Sequence, residues 1–220
     1  MSSAEEPAGC RAPASGEGWS EMFLSAVEKT CSASEGVALG HSILILHDLA
    51  TAVECETLRA EASSLAAAER AAVDLTRPEK IRLPVLEKLS EAGLALYDAL
   101  LLRSCARVDE CLPELIPRLF EAGCLDTSTC LRNERLMFSL GEPAINIYQA
   151  GGSFKAHQDK QSLTVLMPLS NPDAFGGGGT AFWASEQPLP EYGGSGVDGT
   201  LRGPPPALDI RVSQPVQTCA

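Results

Sequence analysis

Apolar positions along this chain follow two periods, one suited to strands and one to helices. Ile145 and Ile147 alternate with Asn146 and Tyr148, and the run ends at Gly151 and Gly152. An extended piece carrying His157 and Asp159 follows, then a second apolar run, Leu163–Leu169. A glycine turn at 176–179 leads into a third short run that ends at Trp183. Strand, turn, strand, turn, strand over residues 142–183 predicts an antiparallel sheet. Earlier, Ile43–Leu46 closes the segment Val37–Leu46 as a continuous apolar run, which predicts a strand buried on both faces. Ala207–Val212 predicts one further strand.

The helical period dominates the region between. Leu58, Ala62 and Leu65 recur at helical spacing within Thr51–Arg70, with Asp48 or Thr51 as the capping residue. Arg77-Pro78 breaks the chain, and Pro84 suits a first helical turn. Leu86, Leu89, Leu96, Leu100 and Leu101 then form an apolar stripe, in which Gly93 costs about 1 kcal/mol relative to Ala. Pro113 and Pro117 set off a last short helix, Glu114–Phe120. A stripe of this kind is what covering a sheet requires, so these helices are expected to buttress rather than bind. Trp19–Val27 is expected to form a short helix docking through Trp19, Phe23 and Leu24.

These patterns predict three parts. Residues 1–18, rich in Ala, Ser, Glu, Gly and Pro, read as a flexible tail, and 19–36 as a docking segment. Residues 37–220 read as one domain, with helical support over 48–120, a β core over 134–183, and a Gly/Pro loop with a last strand over 187–220. A 45% hydrophobic and 21% charged composition is that of a globular chain. The formal charge of −12 argues against nucleic acid or an anionic membrane as partner. No apolar run approaches the roughly 20 residues that span a bilayer. The opening residues lack a basic stretch followed by an apolar one, so the expected location is cytoplasmic. Eight cysteines include no C-x-x-C and no zinc-finger spacing, and are expected to be free thiols.

The candidate chemistry lies at His157 and Asp159. Residues two apart on a strand point to the same face. An imidazole and a carboxylate so placed supply two thirds of a 2-His-1-carboxylate iron site. Taken alone, H-x-D is a weak motif, and an isolated His at a strand end is more often a satisfied polar residue. The glycines at 176–179 lack the lysine of a phosphate loop and read as a turn. His41 and His47 are expected to take no part.

The surroundings of H-x-D sharpen the picture. Tyr148-x-x-Gly151-Gly152-x-Phe154-x-x-His157-x-Asp159, then Thr164–Leu169, then Gly178-Gly179-Thr180-x-Phe182, resembles the prolyl 4-hydroxylase-like branch of the iron(II)/2-oxoglutarate dioxygenases. The strand Ile43–Leu46 with the following helix is similar to the region before that family's core. The resemblance implies an α+β fold whose core is a double-stranded β-helix, a jelly-roll-like pair of sheets with N-terminal helices as buttress. It implies Fe(II), 2-oxoglutarate and ascorbate, and hydroxylation of a peptidyl proline or another C–H substrate with O2, releasing succinate and CO2. A protein or peptide is the implied partner. His157 and Asp159 match the first two iron ligands. Tyr148 matches the aromatic that hydrogen-bonds the 2-oxo acid, and Thr180 a position lining the same pocket. Phe154 matches a packing wedge, and Lys160 reads as a solvated charge.

Beyond His157 the family pattern is not matched. The chain has three histidines, none after His157, and its later basic residues, Arg202 and Arg211, do not fit the family's 2-oxoglutarate anchor. The closing strands are expected to be missing and turnover to be small. Three readings stay open: a truncated product, a non-catalytic interaction scaffold, or a site completed by His41, His47, Cys219 or a second protomer.

Overall fold

The computed structural model of this chain describes residues 15–16, 18–23, 32–72, 80–125, 128–150, 152, 157, 159, 161–171, 174–175, 180–182, 191–192, 201–202 and 208–210. Its first sheet joins β1 (Ser15–Gly16), β2 (Trp19–Phe23) and β3 (Ser42–Leu46), all antiparallel. Trp19–Phe23 is therefore a strand and not the helix expected there. It pairs with every residue of β3, from Trp19↔Leu46 to Phe23↔Ser42. A helix of a few residues is marginal by itself, while the backbone of an apolar strand needs a ladder partner. The β3 strand is also less enclosed than its apolar run suggests, since only Ser42 is buried and the rest is half-buried. Helix α1 (Ala33–Ala38) runs from the expected docking segment into the start of Val37–Leu46, and Ser32 caps it by accepting from the Glu35 N–H at 3.3 Å. Trp19, Val37, Leu44 and Leu46 pack with Val108, Leu112 and Leu115 in one apolar cluster.

The main core lies elsewhere. Helix α2 (Ala52–Ala72) begins with a reciprocal cap in which the Thr51 Oγ1 accepts from the Glu54 N–H at 3.2 Å. The Glu54 carboxylate accepts the Thr51 N–H in return at 2.8 Å. Of the two capping candidates, Thr51 is the one used. After residues 73–79, which lie outside the described residues, comes β4 (Lys80–Pro84), a strand that the hydrophobic pattern did not predict. It pairs antiparallel with β5 (Ala144–Tyr148), from Lys80↔Tyr148 to Pro84↔Ala144. Alternation does the rest: Ile81, Leu83 and Ile145 are buried at 7%, 0% and 7% exposure. They meet Leu58, Ala62 and Ala66 of α2.

Pro84 ends β4 and serves as N-cap of α3 (Val85–Lys88). Helix α4 (Glu91–Cys111) starts at Ser90, whose Oγ accepts from the Gly93 N–H at 3.1 Å. Gly93 thus sits in the first turn, and a methyl group there would run into the Glu61 carboxylate. That carboxylate holds the Ser90 N–H at 2.5 Å, so close approach of α2 and α4 is what the glycine provides. Leu100 of α4 closes the main core, and α5 (Leu115–Leu119) seats Leu115 in the second cluster. The apolar run Leu163–Leu169 forms no paired strand. Met167 and Leu169 pack against the main core, Val165 and Leu166 stand exposed, and Pro168 has no N–H to give a ladder.

Late in the chain, β6 (Thr180–Phe182) pairs antiparallel with β9 (Leu208–Ile210), which lies inside the expected Ala207–Val212. Between them, β7 (Glu191–Tyr192) pairs with β8 (Leu201–Arg202), so a short ladder interrupts the Gly/Pro-rich stretch. Among the described residues no helix is long and apolar enough to cross a membrane.

Glu54 joins the two long helices as well as capping one. Its carboxylate takes Arg103 Nη2 at 2.8 Å and Nη1 at 3.1 Å, while Nη1 also reaches the Leu49 carbonyl at 2.8 Å. The Arg103 guanidinium, with the Thr51 N–H next, pulls the Glu54 carboxyl down from 4.5 to about 2. A depressed folded-state value means stability that is complete above about pH 4.5 and is lost as pH falls towards 2. Chemical denaturation measured at steps across that window should show a smaller acid loss for Glu54→Gln than for the wild type, and equal losses would contradict this role.

Candidate metal centre

Tyr148, His157, Asp159 and Thr180 are the residues to place. Tyr148 ends β5. Because Ile145 and Ile147 face the core, Asn146 and Tyr148 face away from it, and the Tyr148 side chain is 46% exposed. Its cross-strand partner is Lys80, and that of Asn146 is Arg82. Residues directly opposite in an antiparallel pair share a face, so two cations stand on the tyrosine side of the ladder. Lys80 and Arg82 were not connected with Tyr148 in the sequence, although the alternation of Ile81 and Leu83 within KIRLP carries the signal. Arg82 is held by the Glu142 carboxylate and, at 3.3 Å, by the Gly141 carbonyl. Burial, and then the neighbouring Arg82 charge, push the Lys80 ammonium below its ordinary range. Partial burial raises the Tyr148 phenol above its ordinary value, and the Arg82 charge works against that rise.

Past Tyr148 the chain turns, with the Gly152 N–H donating to the Gln149 carbonyl at 2.8 Å. Gln149 points to the α2 side. With its amide oxygen turned towards Arg70, that oxygen accepts both terminal guanidinium nitrogens at 2.7 and 3.0 Å. Beyond the turn the two candidate ligands meet. His157 Nε2 lies 3.1 Å from Asp159 Oδ1, with the two side chains 56% and 46% exposed. The residues i and i+2 do present their side chains together, but neither belongs to a paired strand. Thr180 is exposed at the start of β6, opposite Ile210. The structure thus brings His157 and Asp159 together and leaves Tyr148 and Thr180 on two separate ladders. Phe154, Lys160, Gly151, Gly178 and Gly179 lie outside the described residues, as does Cys219.

Two donors in neighbouring positions around one ion, each about 2.1 Å from it, stand about 3 Å apart. The His157–Asp159 separation fits that requirement, and the exposure of both groups leaves the other positions of an ion open to small molecules. Among the described residues no group of three or more His, Cys, Asp or Glu side chains is arranged to hold a metal. His41 and His47 flank β3 in the first sheet, where their backbone N–H groups bond to Gly36 and Gly18 carbonyls at 2.9 Å. Comparison of the chain with protein-family models, with curated proteins and with solved structures finds no match.

The Tyr148 environment can be checked in solution. Arg82→Met removes the charge that favours the phenolate, so ultraviolet titration referenced to Tyr148→Phe should show the Tyr148 value rise further. A fall would mean that Arg82 does not act on this phenol.

Proposed function

We propose that this chain is an oxidoreductase of the iron(II)/2-oxoglutarate dioxygenase class, of prolyl 4-hydroxylase type, on a double-stranded β-helix. Its substrate would be a peptidyl proline or another C–H group. One observation carries the reading: an imidazole nitrogen and a carboxylate oxygen 3.1 Å apart, both reachable from solvent, at the H-x-D that the sequence singles out. Iron(II) accepts nitrogen and oxygen donors of this kind and leaves positions for other ligands. When bound, it would supply the coupling of O2 to the decarboxylation of 2-oxoglutarate, with ascorbate as reductant, while the protein orients the reactants.

The side chains divide that work. His157 and Asp159 hold the ion. Tyr148, a phenol and so protonated at neutral pH, would donate a hydrogen bond to a carboxylate of the 2-oxo acid. Thr180 offers a hydroxyl from an exposed strand position.

A second reading, a non-catalytic interaction scaffold, draws on a different feature. Met137, Leu140, Leu166 and Phe175 are 95%, 103%, 63% and 47% exposed. Large apolar side chains left in water are available to a partner surface.

Anaerobic titration of the full chain with iron(II) tests the shared premise. His157→Ala and Asp159→Ala are each expected to weaken binding by more than about tenfold, the lower bound for disturbing even a ligand's supporting partner. Binding that is unchanged in both variants sinks the reading. Succinate release on adding 2-oxoglutarate and ascorbate then separates the alternatives. Release that His157→Ala abolishes marks the enzyme, and iron binding without release marks the scaffold.

A further inference from the structure

The outer face of the β4–β5 ladder carries more than Tyr148. Lys80 stands directly opposite Tyr148, and Arg82 directly opposite Asn146. Residues so paired share a face, and a side chain as long as that of Lys80 is also within diagonal range of Asn146. Arg82 is already committed, because the Glu142 carboxylate bonds its Nη2. The folded chain thus seats one carboxylate on this face, and a second cation, Lys80, stands about 7 Å further along the strand. The charges that act on Lys80 are those of Arg82 and Glu142, so the face keeps an excess of positive charge. At the same place, among the described residues, Asn146 Oδ1 is enclosed without a hydrogen-bond partner. An enclosed polar atom ordinarily finds its partner in protein, water or ligand. A half-turn of the amide sets Nδ2 there instead, a donor suited to a carboxylate oxygen.

We propose that Lys80, Asn146 and Tyr148 form a binding site for a carboxylate of a small organic acid, and that this acid is 2-oxoglutarate. The choice of acid rests on the dioxygenase reading above, while the site itself stands on the ladder. Lys80 supplies the charge, Tyr148 a hydroxyl donor from the opposite strand, and the Asn146 amide a second donor beside them. Lys80 takes the part that the chain after His157 leaves unfilled. There Arg202 stands opposite Glu191 in the β7–β8 ladder, and Arg211 lies outside the described residues. Partial enclosure strengthens the pairing, because an ion pair screened by less water attracts more strongly. The formal charge of −12 does not repel the acid from this spot, since charges beyond about 8–10 Å are largely screened at physiological ionic strength. Burial and the Arg82 charge both press the Lys80 ammonium towards neutrality, and a carboxylate bonded to it offsets both.

The test uses the full chain, stripped of metal by a chelator. Calorimetric titration with 2-oxoglutarate at low ionic strength should give saturable binding, which glutarate competes and its neutral dimethyl ester does not. Lys80→Met is expected to weaken binding by more than about tenfold, the loss typical of a hydrogen bond to a charged group. Lys80→Arg should recover most of it. Lys88→Met, at a lysine paired with Glu69 at 2.8 Å, should bind as the wild type does. No saturable binding, competition by the ester, an unaffected Lys80→Met, or an equal loss in Lys88→Met would overturn the proposal. On the wild type alone, 2-oxoglutarate should move the backbone amide resonances of 80–83 and 144–148 more than those elsewhere, and shifts confined to other residues would likewise overturn it. That measurement decides the matter even if a Lys80 variant fails to fold. With no metal present, the result is separate from the iron titration. Iron binding indifferent to His157→Ala and Asp159→Ala sinks the dioxygenase reading alone, and acid binding indifferent to Lys80 sinks the carboxylate site alone.

Discussion

The ladder between Lys80–Pro84 and Ala144–Tyr148 is the constraint on which the rest depends. It joins segments far apart in sequence, and closing a loop of some 60 residues costs roughly 4 kcal/mol of chain entropy. Against that, Ile81, Leu83 and Ile145 go almost wholly out of water. Each such side chain contributes about 1.5–3 kcal/mol, so the pairing holds once α2 and α4 supply the other wall. The side chains around Tyr148 take their positions from this ladder. Tyr148 faces outward because its neighbours on β5 face inward, and Lys80 and Arg82 stand beside it by register alone.

Acidic side chains act as fasteners between these elements. Glu54 holds the start of α2 to Arg103 of α4, Glu61 holds the Ser90 N–H, and Asp98 holds the backbone at 130 and 131. Hydrogen bonds to a charged acceptor contribute about 1.5–3 kcal/mol, more than neutral ones. The acidic excess of the sequence is thus partly internal scaffolding. The Asp98 clamp also ties the segment after α5 back onto α4.

Of the candidate centre, the nearness of His157 and Asp159 was legible in the sequence. The structure brings their side chains within 3.1 Å without the strand that the spacing assumed, while Tyr148 and Thr180 stand on separate ladders. The β5 strand, both long helices and the short strands at Thr180–Phe182 and Leu208–Ile210 also follow from period and punctuation. Trp19–Phe23 misled, because its apolar spacing suits a helix face while the unpaired edge of β3 decides for a strand. Lys80–Pro84 went unread, because a strand of five residues with two cations and a proline carries little pattern until its partner is known. Leu163–Leu169 has a strand's composition and no ladder, since alternating side chains can seat on a core without backbone pairing.

What the sequence determined by itself was local. Period, caps and glycines are properties of neighbouring residues, and they place α2, α4, β5 and the H-x-D pair. Tertiary structure alone decided which distant segments share a surface: β4 beside β5, Trp19–Phe23 beside β3, and Asp98 beneath Cys130. Those choices turn on apolar area buried and polar groups satisfied across long stretches of chain, and both sums exist only once the chain has closed on itself.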